Sequence, residues 1–299
     1  IVKLQTVTVN FVGKYNVIFD SHTFVKGATP ISEQFTDYIY SIKVPAMYGY
    51  VFNKWDAEVE NFANQLDDEA LYGTTQQITA YYAKDDTDAY TLAKDSDHHG
   101  NDIAVASNGS ALETYENLVF DQGVTVSVSD KTVAYWLLDG TKVGFGKTSY
   151  TFYVSGNNTI GVVYEGESTE AITADVVLQQ AAIKRGDNGK SIFTVIAQTS
   201  IPNDAAVQEY GVIFSNKVDR LEALTGVDDL SSSQYIQVVS SSTAANKQYM
   251  ISLLNIVDGR TRVARAYAVL NDGSVIFSSE YAMVTTGENA TTDIQPFAE

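Results

Sequence analysis

Short runs of alternating apolar and polar residues are the sequence feature that most constrains the fold of this chain. Three clear runs, each rich in Val, Thr, Tyr or Phe, lie at 7–11, 124–128 and 150–154. A period of two residues places one face of each segment in a core and the other in solvent, as in a half-buried β-strand. Clusters of Gly, Asn and Asp that favour turns lie between such runs, at 139–140, 156–158, 187–189, 258–259 and 271–273. The pattern predicts an all-β fold of short, mostly antiparallel strands.

Two segments are predicted to form a minor helical part. Between Asp56 and Leu71, apolar residues recur every three or four positions, as on the buried face of a helix. The segment from Val218 to Leu230 shows a similar pattern and ends before three consecutive serines. We therefore expect an all-β protein with minor helix.

Composition and charge exclude several classes of protein. The chain has 299 residues, of which 44% are hydrophobic, enough material for the cores of about two or three domains. No apolar run approaches the roughly 18 residues that a bilayer span needs, so no membrane span is predicted. Lys and Arg total 19 against 37 Asp and Glu, and the resulting net charge of -18 opposes binding to nucleic acid.

Residue types that carry catalysis or bind metals are scarce. Cys is absent and His occurs three times, which leaves little for thiolate chemistry, a zinc site or a His-based triad. The sequence also lacks a phosphate-cradling glycine loop, a Gly-x-Ser-x-Gly elbow and a His-Glu-x-x-His motif. We therefore predict a protein that is not an enzyme and requires no cofactor.

An internal repeat indicates how the chain is divided. The two tryptophans of the chain, Trp55 and Trp136, each end an aromatic segment. Each is followed, at nearly equal spacing, by a β-like segment with a tyrosine near its end, Tyr81 in the first copy and Tyr164 in the second. One large aromatic side chain fills much of a small core, so we predict that these four residues are structural anchors of two small β modules.

The residues around the repeat carry a family resemblance. The segment Gly-Tyr-Val-Phe-Asn-Lys-Trp at 49–55, followed by Ile-Thr-Ala-Tyr-Tyr at 78–82, resembles the internalin-type B-repeat. The second copy, at 131–165, is similar to divergent members of that family. The last third, with Arg-Ala-Tyr at 265–267 before an Asp-Gly turn, resembles fibronectin-type-III-like modules of large secreted bacterial proteins. The resemblance implies two β-grasp-like modules and one immunoglobulin-like sandwich in tandem.

The same resemblance implies module boundaries. We expect a B-repeat-like module at 1–86, a divergent second one at 87–176, a fibronectin-III-like sandwich at 177–287 and a tail at 288–299. The first copy departs from the family between Phe19 and Lys43, a segment rich in aromatic residues that we interpret as an insertion. Such an insertion would form an extra hairpin or an interface with a neighbouring subunit.

The densest carboxylate region contains a candidate calcium site. In this region Asp95, Asp97 and Asp102 could supply oxygens to Ca²⁺, which takes about six to eight such ligands. The region lacks the spacing and the closing Glu of an EF-hand loop. A solvated linker between the first two modules is the other interpretation. Adjacent His98 and His99 cannot face one metal from a strand, because neighbouring side chains point to opposite faces.

Two functional hypotheses follow from a modular extracellular chain. The first is a structural role in a surface layer, filament or fibre, in which the chain contacts copies of itself or neighbouring surface proteins. The second is adhesion to a glycan or host protein through aromatic stacking platforms, for which the candidates are Tyr50, Trp55, Tyr81, Tyr135, Trp136 and Tyr164. Strand alternation favours core positions for the same residues. We expect an extracellular, cell-surface location, with the surface of a virion as the alternative.

Overall fold

The computed structural model of the chain is mostly β, with 51% of residues in strands and 14% in helices, which confirms the all-β class with minor helix. It describes residues 5–14, 17–167, 173–186, 189–202, 207–232, 235–240 and 246–297. The turn predicted at 187–189 and the tail predicted at 288–299 are therefore described only in part. The chain falls into two compact units, one formed by Ile1–Lys84, Lys184–Ile192 and Leu254–Val257, the other by Asp85–Ile183, Phe193–Leu253 and Asp258–Glu299. The expected division into three modules stays a prediction.

The first unit contains a four-stranded sheet with the order β2-β1-β4-β3. Its elements are β1 (Thr6–Val12), β2 (Ile18–Val25), α1 (Ile31–Ser41), β3 (Tyr50–Trp55), α2 (Val59–Gln65), a 3-10 helix (Glu69–Leu71) and β4 (Thr75–Lys84). The central strands β1 and β4 run parallel, whereas β2 and β3 pair antiparallel with them. This strand order, with a helix between the second and third strands, is the β-grasp arrangement that the resemblance implies for this part of the chain.

The segment from Phe19 to Lys43 is not an insertion, because it supplies β2 and α1. Ile31, Phe35 and Ile39 follow one another at intervals of four residues and lie buried along one side of α1. They belong to the same core cluster as the inward-facing residues of β1, β2 and β4. The helix therefore completes the core of the first unit and is an integral part of it.

The predicted helices are present in shorter pieces. The segment 56–71 forms α2 and the 3-10 helix after it, and the segment 218–230 forms α3 (Val218–Glu222) and α4 (Val227–Leu230). Gly226, with an extended backbone, separates α3 from α4. The longest helix of the described chain is α1 with 11 residues, and none of the described helices has the length and apolar character to cross a membrane.

The region from 92 to 164 forms two four-stranded sheets with the orders β10-β9-β12-β5 and β11-β8-β6-β7. The strands are β5 (Leu92–Lys94), β6 (Ala104–Ser107), β7 (Ser110–Ala111), β8 (Gly123–Ser127), β9 (Val133–Leu138), β10 (Thr141–Val143), β11 (Ser149–Tyr153) and β12 (Asn158–Tyr164). Buried residues of both sheets form one core cluster, which includes Val126 and Phe152 of one sheet and Trp136 and Val162 of the other. This is a sandwich, so the β-grasp expected for the second module is wrong. Two amphipathic sheets cover each other here, whereas a β-grasp covers one sheet with a helix.

The last part of the chain forms a three-stranded sheet, β13-β14-β17, and a larger sheet, β16-β15-β18-β20-β21, in which β19 also pairs with β18. The strands are β13 (Asp175–Arg185), β14 (Lys190–Ser200), β15 (Val207–Ser215), β16 (Ile236–Val239), β17 (Gln248–Val257), β18 (Thr261–Leu270), β19 (Val275–Phe277), β20 (Glu280–Thr285) and β21 (Thr292–Pro296). The rings of Phe193 on β14 and Phe214 on β15 lie 5.9 Å apart between the two sheets. Leu221 and Leu230 of the short helices pack with Ile213 on the other face of the larger sheet.

The sandwich at 92–164 and the sheets of the last part of the chain are joined by hydrogen bonds between residues of the second unit. The Tyr150 hydroxyl donates to the backbone carbonyl of Asn246 at 3.3 Å, and the Ser200 hydroxyl donates to the carbonyl of Lys142. The Asn246 side chain also exchanges two hydrogen bonds with the backbone of Ile201. Burial at this contact raises the pKa of Tyr150 well above its usual value. The bonds of Tyr150 and Ser200 cross between the sandwiches, and the bonds to Ile201 hold Asn246, the residue that accepts one of them.

Candidate functional site

A concave surface of about 790 Å³ lies between α1, β3 and α2 of the first unit, and we call it the α1–β3 groove. Its lining consists of Ile39, Tyr40, Ile42, Val44, Phe52, Lys54, Trp55 and residues 57–61. The volume falls in the range of about 300–1,000 Å³ that is typical of ligand sites. Exposed aromatic rings and exposed charged side chains occur together in this groove, so it is the candidate functional site.

A β-bulge in β3 arranges the aromatic side chains of the groove. Phe52 pairs with Tyr82 and Lys54 pairs with Tyr81, so Asn53 is an extra residue without a partner on β4. In a regular strand, Phe52 and Trp55 would point to opposite faces of the sheet, because they are three positions apart. The bulge takes up one of these positions, so their rings lie on one face, 5.3 Å apart.

Trp55 connects the groove to the core. Its indole lies 6.0 Å from the Phe11 ring in an edge-on contact and 6.4 Å from the Phe19 ring in a nearly parallel one. Phe11 and Phe19 are buried. The indole is therefore held by rigid core rings on one side, while Phe52, which is 42% exposed, contacts it from the groove. Tyr40 of α1 is the most exposed aromatic residue of the lining, at 74%.

Polar side chains border the aromatic part of the groove. Glu58, Glu60 and Asn61 come from the start of α2 and the residue before it, and all three are exposed. Lys54 also borders the groove, but it pairs with Tyr81, so its side chain points to the opposite face of the sheet. The border can therefore offer two carboxylate acceptors and an amide that both donates and accepts.

Two of the four predicted anchors lie in the core of the second unit. Trp136 is completely buried, and its indole N–H donates to the carbonyl of Lys147 at 2.8 Å. Tyr164 is 5% exposed, and its hydroxyl donates to Asp102 at 2.9 Å. Burial, together with this bond, raises the pKa of Tyr164 to about 12. Both residues belong to one core cluster.

The anchor role predicted for Tyr81 is wrong, since its side chain is 51% exposed. Trp55 pairs with Ala80, so Ala80 and Tyr82 share the face of the sheet that packs on the core, and Tyr81 points to the other face. Tyr82 takes the anchoring position instead: its hydroxyl donates to the carbonyl of Pro45 at 3.0 Å. Burial raises the pKa of Tyr82 to about 12.

The other predicted stacking platforms are not assembled into a site. Tyr135, Trp136 and Tyr164 are buried in the second unit and cannot stack on a ligand from solvent. Tyr50 starts β3, is partly buried and has the ammonium of Lys14 over its ring. Trp55 alone of the six predicted platforms lines the groove, where Phe52 and Tyr40, which the sequence pattern did not single out as platforms, join it.

The carboxylates of the candidate calcium region are bound to protein groups. One oxygen of Asp95 accepts from the backbone N–H of Asp97, and the other lies 2.6 Å from Nδ1 of His98. Asp102 accepts from Lys131 at 2.8 Å as well as from Tyr164. The imidazole of His98 lowers the pKa of Asp95, and the ammonium of Lys131 lowers that of Asp102. Within the described residues, no three His, Asp or Glu side chains are grouped so that they could hold a metal ion. The calcium site stays a prediction.

Comparisons with known proteins do not assign the chain to a family. The sequence matches no protein-family model and no curated protein. The structure is similar to the crystal structure of a DUF3823 family protein from Bacteroides ovatus, with a TM-score of 0.22 and 10% sequence identity over 64% of this chain and 86% of that one.

Proposed function

We propose that this chain is a non-enzymatic structural module of an extracellular surface protein and that it assembles with copies of itself through open sheet edges. The position of the exposed apolar side chains carries the proposal. In the described part of the chain, most large apolar side chains that are exposed belong to strands at the edge of a sheet. They include Ile18 and Val25 on β2, Tyr153 on β11, and Ile236 and Val239 on β16.

The edge strand β16 is the best suited to such a contact. Edge strands of monomeric proteins usually carry charges, prolines or bulges that prevent pairing with another chain. The sequence of β16, Ile-Gln-Val-Val, contains no charge and no proline, and its register with β15 is regular. Ile236 and Val239 are 49% and 47% exposed. An antiparallel β16 from a second copy would pair with the open edge and cover both side chains in a two-fold contact.

The charge of the chain sets the conditions for assembly. Copies that each carry a net charge of -18 repel one another at low ionic strength. Salt at about 0.1 M reduces the screening length to about 10 Å, so added salt favours the contact. The resemblance to B-repeats and fibronectin-III-like modules supports an extracellular setting, on a bacterial surface or, as the alternative, on a virion. A second candidate function, adhesion to a glycan, is favoured by a different feature, the α1–β3 groove.

Sedimentation velocity over a range of protein and sodium chloride concentrations tests the assembly. We expect the wild-type chain to form dimers or larger species, and we expect their fraction to increase with the protein concentration and with the sodium chloride concentration. The double variant Ile236→Lys with Val239→Lys should stay monomeric, because two ammonium groups on each edge would repel the second copy. Val227→Lys is the matched control: Val227 is 48% exposed but lies on the helix α4 and not on an edge strand, so this variant should assemble like the wild type.

Two results would contradict the proposal. One is a wild-type chain that stays monomeric at every concentration and salt level. The other is assembly of the double variant to the same extent as the wild type. Calcium chloride at matched ionic strength tests the calcium hypothesis in the same experiment: assembly that needs calcium and is lost in Asp95→Asn with Asp97→Asn would support it, and equal assembly in both salts would oppose it.

A further inference from the structure

We infer that the α1–β3 groove is a binding site for a neutral oligosaccharide. This inference rests on the second candidate function, adhesion to a glycan, which it narrows to a class of ligand, and it does not depend on assembly. Tyr40, Phe52 and Trp55 bring three aromatic rings into one groove, two of them strongly exposed. Flat rings match the apolar C–H faces of a pyranose, while its hydroxyl groups need polar partners beside those rings. The groove supplies both kinds of contact.

The aromatic surface is organised before any ligand arrives. Trp55 is fixed by its contacts with Phe11 and Phe19, and the bulge at Asn53 directs Phe52 onto the same face. Side chains that are already ordered lose little conformational entropy when a ligand binds. A rigid platform of this kind can hold a ligand that makes only weak individual contacts.

The polar border matches hydroxyl groups. Glu58 and Glu60 can accept hydrogen bonds, and Asn61 can both donate and accept them. A sugar hydroxyl both donates and accepts, so it can pair with each of these side chains. Because the three residues are exposed, binding a sugar would replace their bonds to water with bonds to hydroxyl groups at little desolvation cost.

Other classes of ligand fit the groove less well. Anionic ligands meet two carboxylates and a chain of net charge -18. An acyl chain would leave the charged border without water or partners. A peptide that adds as a strand to β3 meets the bulge at Asn53 and the charge of Lys54, which are two devices that prevent edge pairing. A neutral, hydroxyl-rich ligand with apolar faces avoids all three conflicts.

Titration of the chain with cellohexaose, chitohexaose and maltohexaose tests the site. We expect at least one of these probes to bind with a Kd of about 1 mM or tighter, measured by calorimetry. Binding should also change tryptophan fluorescence. Trp136 is completely buried, so the change should come from Trp55 and should disappear in Trp55→Phe.

Three variants locate the bound sugar. Phe52→Ala and Tyr40→Ala each remove an exposed ring of the groove, and each should weaken the Kd about tenfold or more. Tyr81→Ala is the matched control, because Tyr81 is an aromatic residue whose exposure lies between those of Phe52 and Tyr40, on the opposite face of the sheet that contains Phe52. Its Kd should stay within about twofold of the wild type.

Three results would overturn the inference. The first is that none of the three sugars binds in the stated range. The second is that Tyr81→Ala weakens binding as much as Phe52→Ala does. The third is that a lysine-rich peptide binds with the same dependence on Phe52 while the sugars do not, which would make the groove a peptide site.

Discussion

The rings of Phe52 and Trp55 lie 5.3 Å apart on one face of β3, although three positions separate the two residues in the sequence. Strict alternation would place them on opposite faces. The bulge formed by Asn53 changes the alternation within the strand and so brings an exposed ring against one that is anchored in the core. With three positions between the two residues, the aromatic part of the candidate site depends on this bulge.

Deletion of Asn53 should therefore remove the bulge and keep the two rings together. Without Asn53, Phe52 and Trp55 are two positions apart, and a regular strand places such residues on the same face. The free energy of unfolding should stay within about 0.5 kcal/mol of the wild type, and emission from Trp55 should not shift. Deletion of Asn53 together with Lys54 makes the two aromatic residues neighbours on opposite faces, so this variant should lose the ring contact and about 1 kcal/mol, with emission at longer wavelength. Urea unfolding followed by fluorescence measures both quantities, and a single deletion that shifts the emission as the double deletion does would contradict the prediction.

The alternation of side chains between the two faces of a strand also explains which anchors could be predicted from the sequence. In both copies the strand with the tryptophan pairs antiparallel with the strand that carries the tyrosine. Trp136 pairs with Val162, and Tyr164 lies two positions further on the same face. Trp55 pairs with Ala80, and Tyr81 lies one position further on the other face. The repeat thus indicated two real strand pairs, but the spacing alone did not show the register, which decides whether a tyrosine is buried.

Tyr82 should matter to the stability of the first unit and Tyr81 should not. Tyr82→Ala removes a core-facing ring and its hydrogen bond to Pro45, and should lower the free energy of unfolding by about 3 kcal/mol. Tyr81→Ala changes an exposed side chain and should stay within about 0.5 kcal/mol of the wild type. Urea unfolding of the two variants checks the register of β4, and the opposite order of effects would show that the register is wrong.

Trp136 should be the most sensitive aromatic position of the second unit. Trp136→Phe leaves space in a fully buried core and removes the donor to the Lys147 carbonyl. The two effects together should lower the free energy of unfolding by about 2–4 kcal/mol. Trp55→Phe, at a half-buried ring, provides the comparison and should cost about 1 kcal/mol. Equal losses in chemical unfolding would mean that the two indoles have equivalent environments.

Other parts of the structure could not be predicted from sequence patterns, for physical reasons. The helix α1 carries a clear stripe at Ile31, Phe35 and Ile39, but the resemblance to a more compact repeat led to its interpretation as an insertion. The sandwich at 92–164 uses the same period-two strands as a β-grasp sheet, and only the pairing partners distinguish the two folds. The groove combines α1, β3 and α2, which are separated along the chain, so no local motif marks it.

Alkaline pH should destabilise the first unit through Tyr38. Burial, together with a 2.6 Å hydrogen bond to Asp20, raises the pKa of Tyr38 to about 12. An unfolded chain ionises its tyrosines near pH 10, so the stabilisation is complete below about pH 10 and is lost as the pH rises to about 12. Tyr38→Phe should flatten the fall of the unfolding free energy over this interval. Tyr40→Phe, on the same helix, is the control for removing an exposed hydroxyl, and an equal slope in both variants would contradict the prediction.

The pairing of the edge strand β16 with β15 should depend on the absence of a side chain at Gly211. A Cβ at this position would overlap the carbonyl oxygen of Val238 and lie 3.0 Å from the hydroxyl of Tyr267, and the first of these is backbone that cannot move without loss of pairing. Gly211→Ala should therefore detach β16 from β15, speed amide hydrogen exchange at 236–239 and lower the free energy of unfolding by about 1–3 kcal/mol. Gly287→Ala is the control, because a Cβ at that position meets no atom within 4 Å. If assembly uses the β16 edge, Gly211→Ala should also reduce assembly in sedimentation, whereas full assembly with a detached β16 would exclude this edge as the contact.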